Sequence, residues 1–294
     1  MPASPHRETS APSAASPPRP ARAGGGTGRR RRARGRTPVV VVVPAALAVA
    51  FLVLPLLALA LRTPWARLGA LLAAPEVADA LRLSLVTATT STVLCLVLGV
   101  PLAWVLAHVE LPGRRLLRAL VTVPLVLPPV VGGVALLLLL GRRGLLGERL
   151  DAWFGVTVPF TTAAVVLAQT FVALPFLVVA VEGALRSVDR RYEDAAATLG
   201  ASRLLTLRRV TLPMVAPAVG AGAVLAFARA LGEFGATITF AGSFPGTTRT
   251  VPLEVYLGLE TDPDAAVALS MVLLAVSLAV LVGLRGRWAS AVTA

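Results

Sequence analysis

The sequence predicts an all-α, polytopic membrane protein with about six transmembrane helices, and three observations carry that reading. Hydrophobic residues make up 56% of the 294 and charged residues 15%, well beyond the apolar share of about 45–50% found in soluble domains. The apolar residues gather into six blocks, each near the roughly 20 residues needed to cross a hydrocarbon core of about 30 Å. The arginines outside the blocks also divide unevenly between the two sides of the membrane that six spans would define, as they do where cytoplasmic connections retain positive charge.

In chain order, residues 1–37 combine Pro, Ala, Ser, Gly and Arg with no apolar periodicity and end in Arg29-Arg30-Arg31-Arg32-Ala33-Arg34-Gly35-Arg36. Such a composition cannot bury a core, so this Arg-rich tail is expected to be disordered. A cytoplasmic anchor touching anionic lipid explains it without nucleic acid as a partner. Residues 38–62 hold the first spanning helix, whose apolar run Val39–Leu61 exceeds the roughly 7–15 residues of a signal-peptide core. The next blocks are Leu83–Ala107, Ala119–Leu140, Phe160–Val181, Pro213–Phe240 and Ala265–Leu284, and residues 286–294 form a C-terminal tail. Prolines such as Pro101, Pro124, Pro128, Pro129, Pro175 and Pro217 lie inside these blocks and are tolerated where neighbouring helices satisfy the freed carbonyls. Twenty arginines fall in the tail, the second and fourth connections and the C-terminus, against seven on the opposite side. Both termini are therefore expected in the cytoplasm, with the chain multi-pass in the cell membrane.

Composition also excludes chemistry. All 28 basic residues are arginine, and a phosphate-binding loop of the GxxxxGK[ST] type or a Schiff base needs a lysine amine. Cys95 is the lone cysteine and sits in an apolar block, so it reads as a structural thiol. His6 and His108 are the only histidines, which leaves no transition-metal cluster. No catalytic residue, no metal site and no cofactor bound by this chain is expected.

The longest cytoplasmic connection, residues 182–212, reads as two short helices joined at a glycine. Tyr192, Ala195, Ala196 and Leu199 recur at i, i+3, i+4 and i+7 and give an otherwise charged helix one apolar face. Gly200 can take positive φ and end that helix. Ser202 can cap a second, from Arg203 towards Val210. Periodicity alone leaves open an amphipathic hairpin on the membrane surface.

The residues themselves go further. Asp194-Ala195-Ala196, Gly200 after three residues, Val210 after nine more, then Leu212-Pro213 resemble the EAA motif of permease subunits of ATP-binding-cassette importers. The motif normally opens with glutamate and has isoleucine at the position of Val210, and Glu193 stands ready to share the acidic role. This resemblance covers residues 80–285 and implies a type I importer permease fold with a second copy of the chain. It also implies a cytoplasmic ATPase dimer that binds the ATP and Mg, docked on the loop, and an extracytoplasmic binding protein.

The stretch Leu225–Thr237, with Pro245-Gly246-Thr247-Thr248-Arg249-Thr250, is similar to the molybdate branch of that family, which implies molybdate and tungstate as cargo. Sulfate or thiosulfate import is the neighbouring alternative. An ion-coupled secondary transporter is the alternative of another class, and would need mid-helix carboxylates where this chain offers Glu233 beside Arg229.

Within the fifth block, small residues recur every fourth position at Ala218, Gly222, Ala226 and Ala230, and again at Ala228, Gly232 and Ala236, a pattern that lets helix backbones approach closely. Arg229 and Glu233 lie one turn apart and share a face. Charges at bilayer depth cost roughly 2.5–3.5 kcal/mol each on insertion scales, so they pair or line a pathway. Gly232, Gly235 and Thr237 in the same stretch make a translocation path or gate the competing role to a structural ion pair.

Overall fold

The computed structural model describes residues 39–292, so the arginine-rich tail lies outside the described residues. The chain divides into two units between Phe51 and Leu52. Of the first unit, the described part is the leading half of helix α1 (Val39–Arg62). Every other element belongs to the second.

In lipid a backbone must satisfy its own hydrogen bonds, so an uninterrupted apolar run becomes a helix whatever its propensity. Helix α1 ends where Thr63 donates its hydroxyl to Leu59 O (2.8 Å) and Trp65 donates Nε1 to Ala60 O (2.9 Å). A short helix, α2 (Leu68–Leu72), leads to α3 (Pro75–His108). Pro75 opens α3, where a missing N–H costs nothing. The helix starts eight residues before the predicted block because its first two turns lie beyond the apolar stretch. At 34 residues and 1.5 Å per residue it rises about 51 Å, longer than a bilayer core.

Helix α3 buries Ser84, Thr87, Ala88, Ser91, Cys95, Gly99 and Ala103, a face of small residues against α7. At Gly99 an added Cβ would stand 2.7 Å from Leu177 Cδ2. The side chains of Leu174, Leu177 and Val178 fill the space that the glycine leaves open.

The third predicted block is not one helix. It comprises α4 (Arg114–Val126) and α5 (Pro129–Leu140), which meet at 117°. The cause is Leu127-Pro128-Pro129: both prolines lack an N–H, and Leu127, forced out of the helical region by the proline after it, has φ −67° and ψ 130°. Helix α6 (Gly147–Phe154) projects from the end of α5 and ends at Gly155 in the left-handed conformation.

Helix α7 (Thr162–Ser187) is capped by the Thr161 hydroxyl, which accepts from Ala164 N (3.2 Å). It is the centre of the second unit. Of the residues in its most apolar stretch 61% are buried, against 28% in the helix from Arg203 to Leu231 that carries the small-residue stripes. Ala226 and Ala230 are fully buried, and an added Cβ on Gly222 would meet Leu177 and Ala180 within 3.4 Å. The buried stripe thus packs that helix onto α7.

After α8 (Arg191–Thr198) and α9 (Arg203–Thr206), a π turn over Leu207–Thr211 runs without interruption into α10 (Leu212–Leu231). The second helix of the connection is therefore the first part of a membrane helix. The fifth block in turn breaks after Leu231 and resumes as α11 (Gly235–Phe240). Helix α12 (Val251–Thr261) precedes α13 (Pro263–Val292), which stays helical through residues 286–292. Among the described residues, five helices are long and apolar enough to cross a membrane, or six if α4 and α5 together form one span.

Candidate functional site

Two places gather the residues singled out by the sequence: the connection between α7 and α10, and the break between α10 and α11.

In the connection, Asp189 Oδ1 accepts from Arg191 N (3.0 Å) and starts α8. The helix stops at Gly200, whose φ is 83°. Gly200 N donates to Ala197 O (2.9 Å) and Ala201 N to Ala196 O (3.0 Å), the paired bonds that close a helix on a left-handed residue. The Ser202 hydroxyl then accepts from Leu205 N (3.3 Å), so one turn ends a helix and starts the next.

Glu193 and Asp194 part company on this helix. Asp194 is exposed, whereas Glu193 turns towards the membrane helices, where Oε1 accepts from the Thr211 hydroxyl (2.7 Å) and lies 3.4 Å from His108 Nε2. Of the apolar face, Tyr192, Ala195 and Leu199 are uncovered, Leu199 to 89%, and Ala196 is half-buried. Val210 and Leu212 are half-buried, and Pro213 is exposed in the first turn of α10.

At the second place, Arg229 Nη1 lies 2.6 Å from Glu233 Oε2. The guanidinium is not aimed along a good hydrogen-bond direction at that oxygen, so the contact is mainly one of charge. The other oxygen, Oε1, accepts from Ala236 N (2.7 Å) at the start of α11. Glu233, 1% exposed, thus pairs with the end of α10 and caps the start of α11.

Gly232 is exposed in the break itself. Gly235 presses on the other broken pair, where an added Cβ would meet Pro129 Cβ and Val130 N at 3.1 Å. On the facing helix, a Cβ on Gly133 would stand 2.8 Å from Ala236 O. Two discontinuous helices therefore touch at their breaks. Thr237 is fully buried there and its hydroxyl has no partner. Broken helices whose irregular backbone is buried in protein are how membrane transporters place polar groups at depth.

The structure also assembles a group that sequence reasoning missed. Glu182, buried near the end of α7, receives Arg118 Nη2 from α4 at 2.6 Å and Arg186 Nη2 at 3.0 Å. Its spacing from Arg186 is the i,i+4 signal of a helical pair. The partner from α4 carries no such signal, since 64 residues separate Arg118 from Glu182.

Known proteins share both the sequence and the architecture. The family model described as "Binding-protein-dependent transport system inner membrane component" matches residues 96–289. The molybdenum transport system permease protein ModB of Mycobacterium tuberculosis is 56% identical over 231 residues, which cover 79% of this chain and 87% of that one. The sulfate transport system permease protein CysT of Salmonella typhimurium is 38% identical over 218 residues, 74% of this chain and 78% of its own. Among solved structures, a chain of a bacterial alginate ABC transporter in complex with a periplasmic protein superposes with a TM-score of 0.69 at 17% identity. It covers 84% of this chain and 91% of that one, a likeness of fold.

Proposed function

We infer that this chain, which belongs to the family of binding-protein-dependent transport system inner membrane components, is the permease subunit of an ATP-binding-cassette importer that carries molybdate, and tungstate with it, into the cell. The single observation that carries the cargo is the margin of identity, 56% with a molybdenum permease against 38% with a sulfate permease. Both anions are tetrahedral dianions, so specificity of uptake rests chiefly on the extracytoplasmic binding protein that delivers the ion.

The geometry of the connection supports an ATPase partner. A helix that exposes Tyr192 and Leu199 on a cytoplasmic loop presents an apolar face that another protein surface would cover. The partner ATPase dimer would hold ATP and Mg and perform hydrolysis, in keeping with a sequence without lysine. A second copy of the permease is favoured by the outer side of α10, where Ala216, Gly220, Ala228 and Gly232 are exposed and a Cβ on Gly220 would meet nothing within 4 Å. Small residues left open on a membrane helix suit another helix at close range.

Both termini are assigned to the cytoplasm by the arginine partition, and site-directed labelling tests it. Cys95 is buried, so new cysteines can be read against it. Leu204→Cys, exposed on the connection, should resist an impermeant thiol reagent added outside, while Thr261→Cys should react. The opposite pattern would invert the topology.

For the cargo, the permease is reconstituted with its ATPase and binding protein and uptake of labelled molybdate is measured. A large excess of sulfate should leave uptake nearly unchanged and unlabelled tungstate should suppress it. Full competition by sulfate would move the assignment to a sulfate permease.

A further inference from the structure

We propose that Glu193 is the positioning residue through which the ATPase-docking helix moves the membrane helices, by gripping α3 through His108 and α10 through Thr211. The proposal rests on the importer reading.

Two features make this contact mechanical. First, beneath α8 lies a cavity of about 430 Å³, lined among others by Trp104, His108, Glu193, Arg203 and Thr211. Across that cavity α8 has little packed contact with the end of α3, and packed contact is what transmits strain. Second, among the described residues the polar side-chain contacts from α8 to the spanning helices are those of Glu193: Thr211 at 2.7 Å and His108 at 3.4 Å. Both converge on Oε1.

Each receiving group is itself fixed. Thr211 is 1% exposed and closes the π turn Leu207–Thr211. A π turn adds a residue to the repeat and rotates the helix beyond it, and here it leaves Thr211 facing Glu193. His108 is the last residue of α3. Its ring stacks on Trp104, with centroids 5.3 Å apart and planes at 21°, and Nδ1 lies 3.3 Å from Trp104 O. That stacking holds Nε2 towards the carboxylate. Helix α3 continues from this point to the opposite end of the unit, where Ser84 accepts from Val251 N (2.7 Å). A displacement of α8 thus reaches α10 at its start and α3 at its end. Asp194 borders the same cavity but is exposed and makes no side-chain contact with α3 or α10.

The test uses the full complex in lipid vesicles with molybdate-loaded binding protein, and reads molybdate taken up per ATP hydrolysed. Thr211→Val keeps the branched shape and removes the hydroxyl. A lost hydrogen bond to a charged group should lower the ratio about tenfold or more, with the ATPase still bound and hydrolysing. Thr211→Ser, which restores the hydroxyl, should return the ratio to near the wild-type value. His108→Phe retains a ring on Trp104 but not the contact, and should uncouple as well.

A wild-type ratio in Thr211→Val would overturn the proposal, as would loss of the ATPase from that variant's complex, since the residue would then serve docking. Should Thr211→Val fail to insert, the ratio in His108→Phe decides in the same way. A wild-type complex that hydrolyses ATP and takes up no molybdate would instead overturn the importer reading itself.

Discussion

Removing the guanidinium of Arg229 should destabilise the permease by about 3–5 kcal/mol, the range for leaving one partner of a buried pair uncompensated. Glu233 is 1% exposed and its Oε2 has Arg229 at 2.6 Å, so Arg229→Ala leaves a buried acidic side chain without its basic partner. The companion changes separate the two tasks of Glu233. Glu233→Gln still accepts from Ala236 N, whereas Glu233→Ala loses that bond too. The double variant Arg229→Ala, Glu233→Gln should therefore recover most of the loss, and Arg229→Ala, Glu233→Ala less. Thermal unfolding of the purified complex measures the cycle. Strict additivity of the single changes would show that the two side chains do not act as a pair.

Gly200→Val should abolish most uptake while leaving insertion intact. The residue has φ 83° and a Cβ there would meet nothing within 4 Å, so no clash contributes. What remains is the backbone: a β-branched residue is held in the left-handed region at about 1–3 kcal/mol, and the easier response is to let the end of α8 unwind. The bonds from Gly200 N and Ala201 N would go with it, and with them the angle between α8 and α9. Gly200→Asn tolerates positive φ and should keep uptake near the wild-type level. Equal uptake by both variants would remove the left-handed turn from the mechanism.

How far the sequence exposed this architecture depends on the distance over which each signal acts. Gly200 and the Ser202 cap were legible because a helix end is written in the few residues around it. The one-turn spacing that lets Arg229 pair with Glu233 was legible for the same reason, while their role, structural pair or pathway, stays open in the sequence. The 117° junction was not recognised, although Leu127-Pro128-Pro129 is a local signal, because hydropathy continues across it and a count of apolar residues does not register direction. The break after Leu231 was marked by Gly232 and Gly235, but its depth beside Pro129 comes from tertiary packing alone. Contacts between distant residues left no trace. Arg118 meets Glu182 across 64 residues, and the inward turn of Glu193 depends on the π turn that presents Thr211. Without those partners the motif gives the acidic role to Asp194, with Glu193 beside it to share that role.

The junction of α4 and α5 has a further consequence, for the lipid beside it. With 13 and 12 residues, the two helices rise about 20 and 18 Å, each short of a hydrocarbon core of about 30 Å. Set at 117°, their lengths do not add along one axis. Helix α3, with 34 residues, rises about 51 Å, so α3 and the α4–α5 pair match different thicknesses of hydrocarbon. Such mismatch is met by thinning, by tilt or by covering protein, at fractions of a kcal/mol per Å. Acyl chain length should therefore bear on how α4 and α5 are accommodated, which a comparison of uptake in bilayers of short and long acyl chains would read.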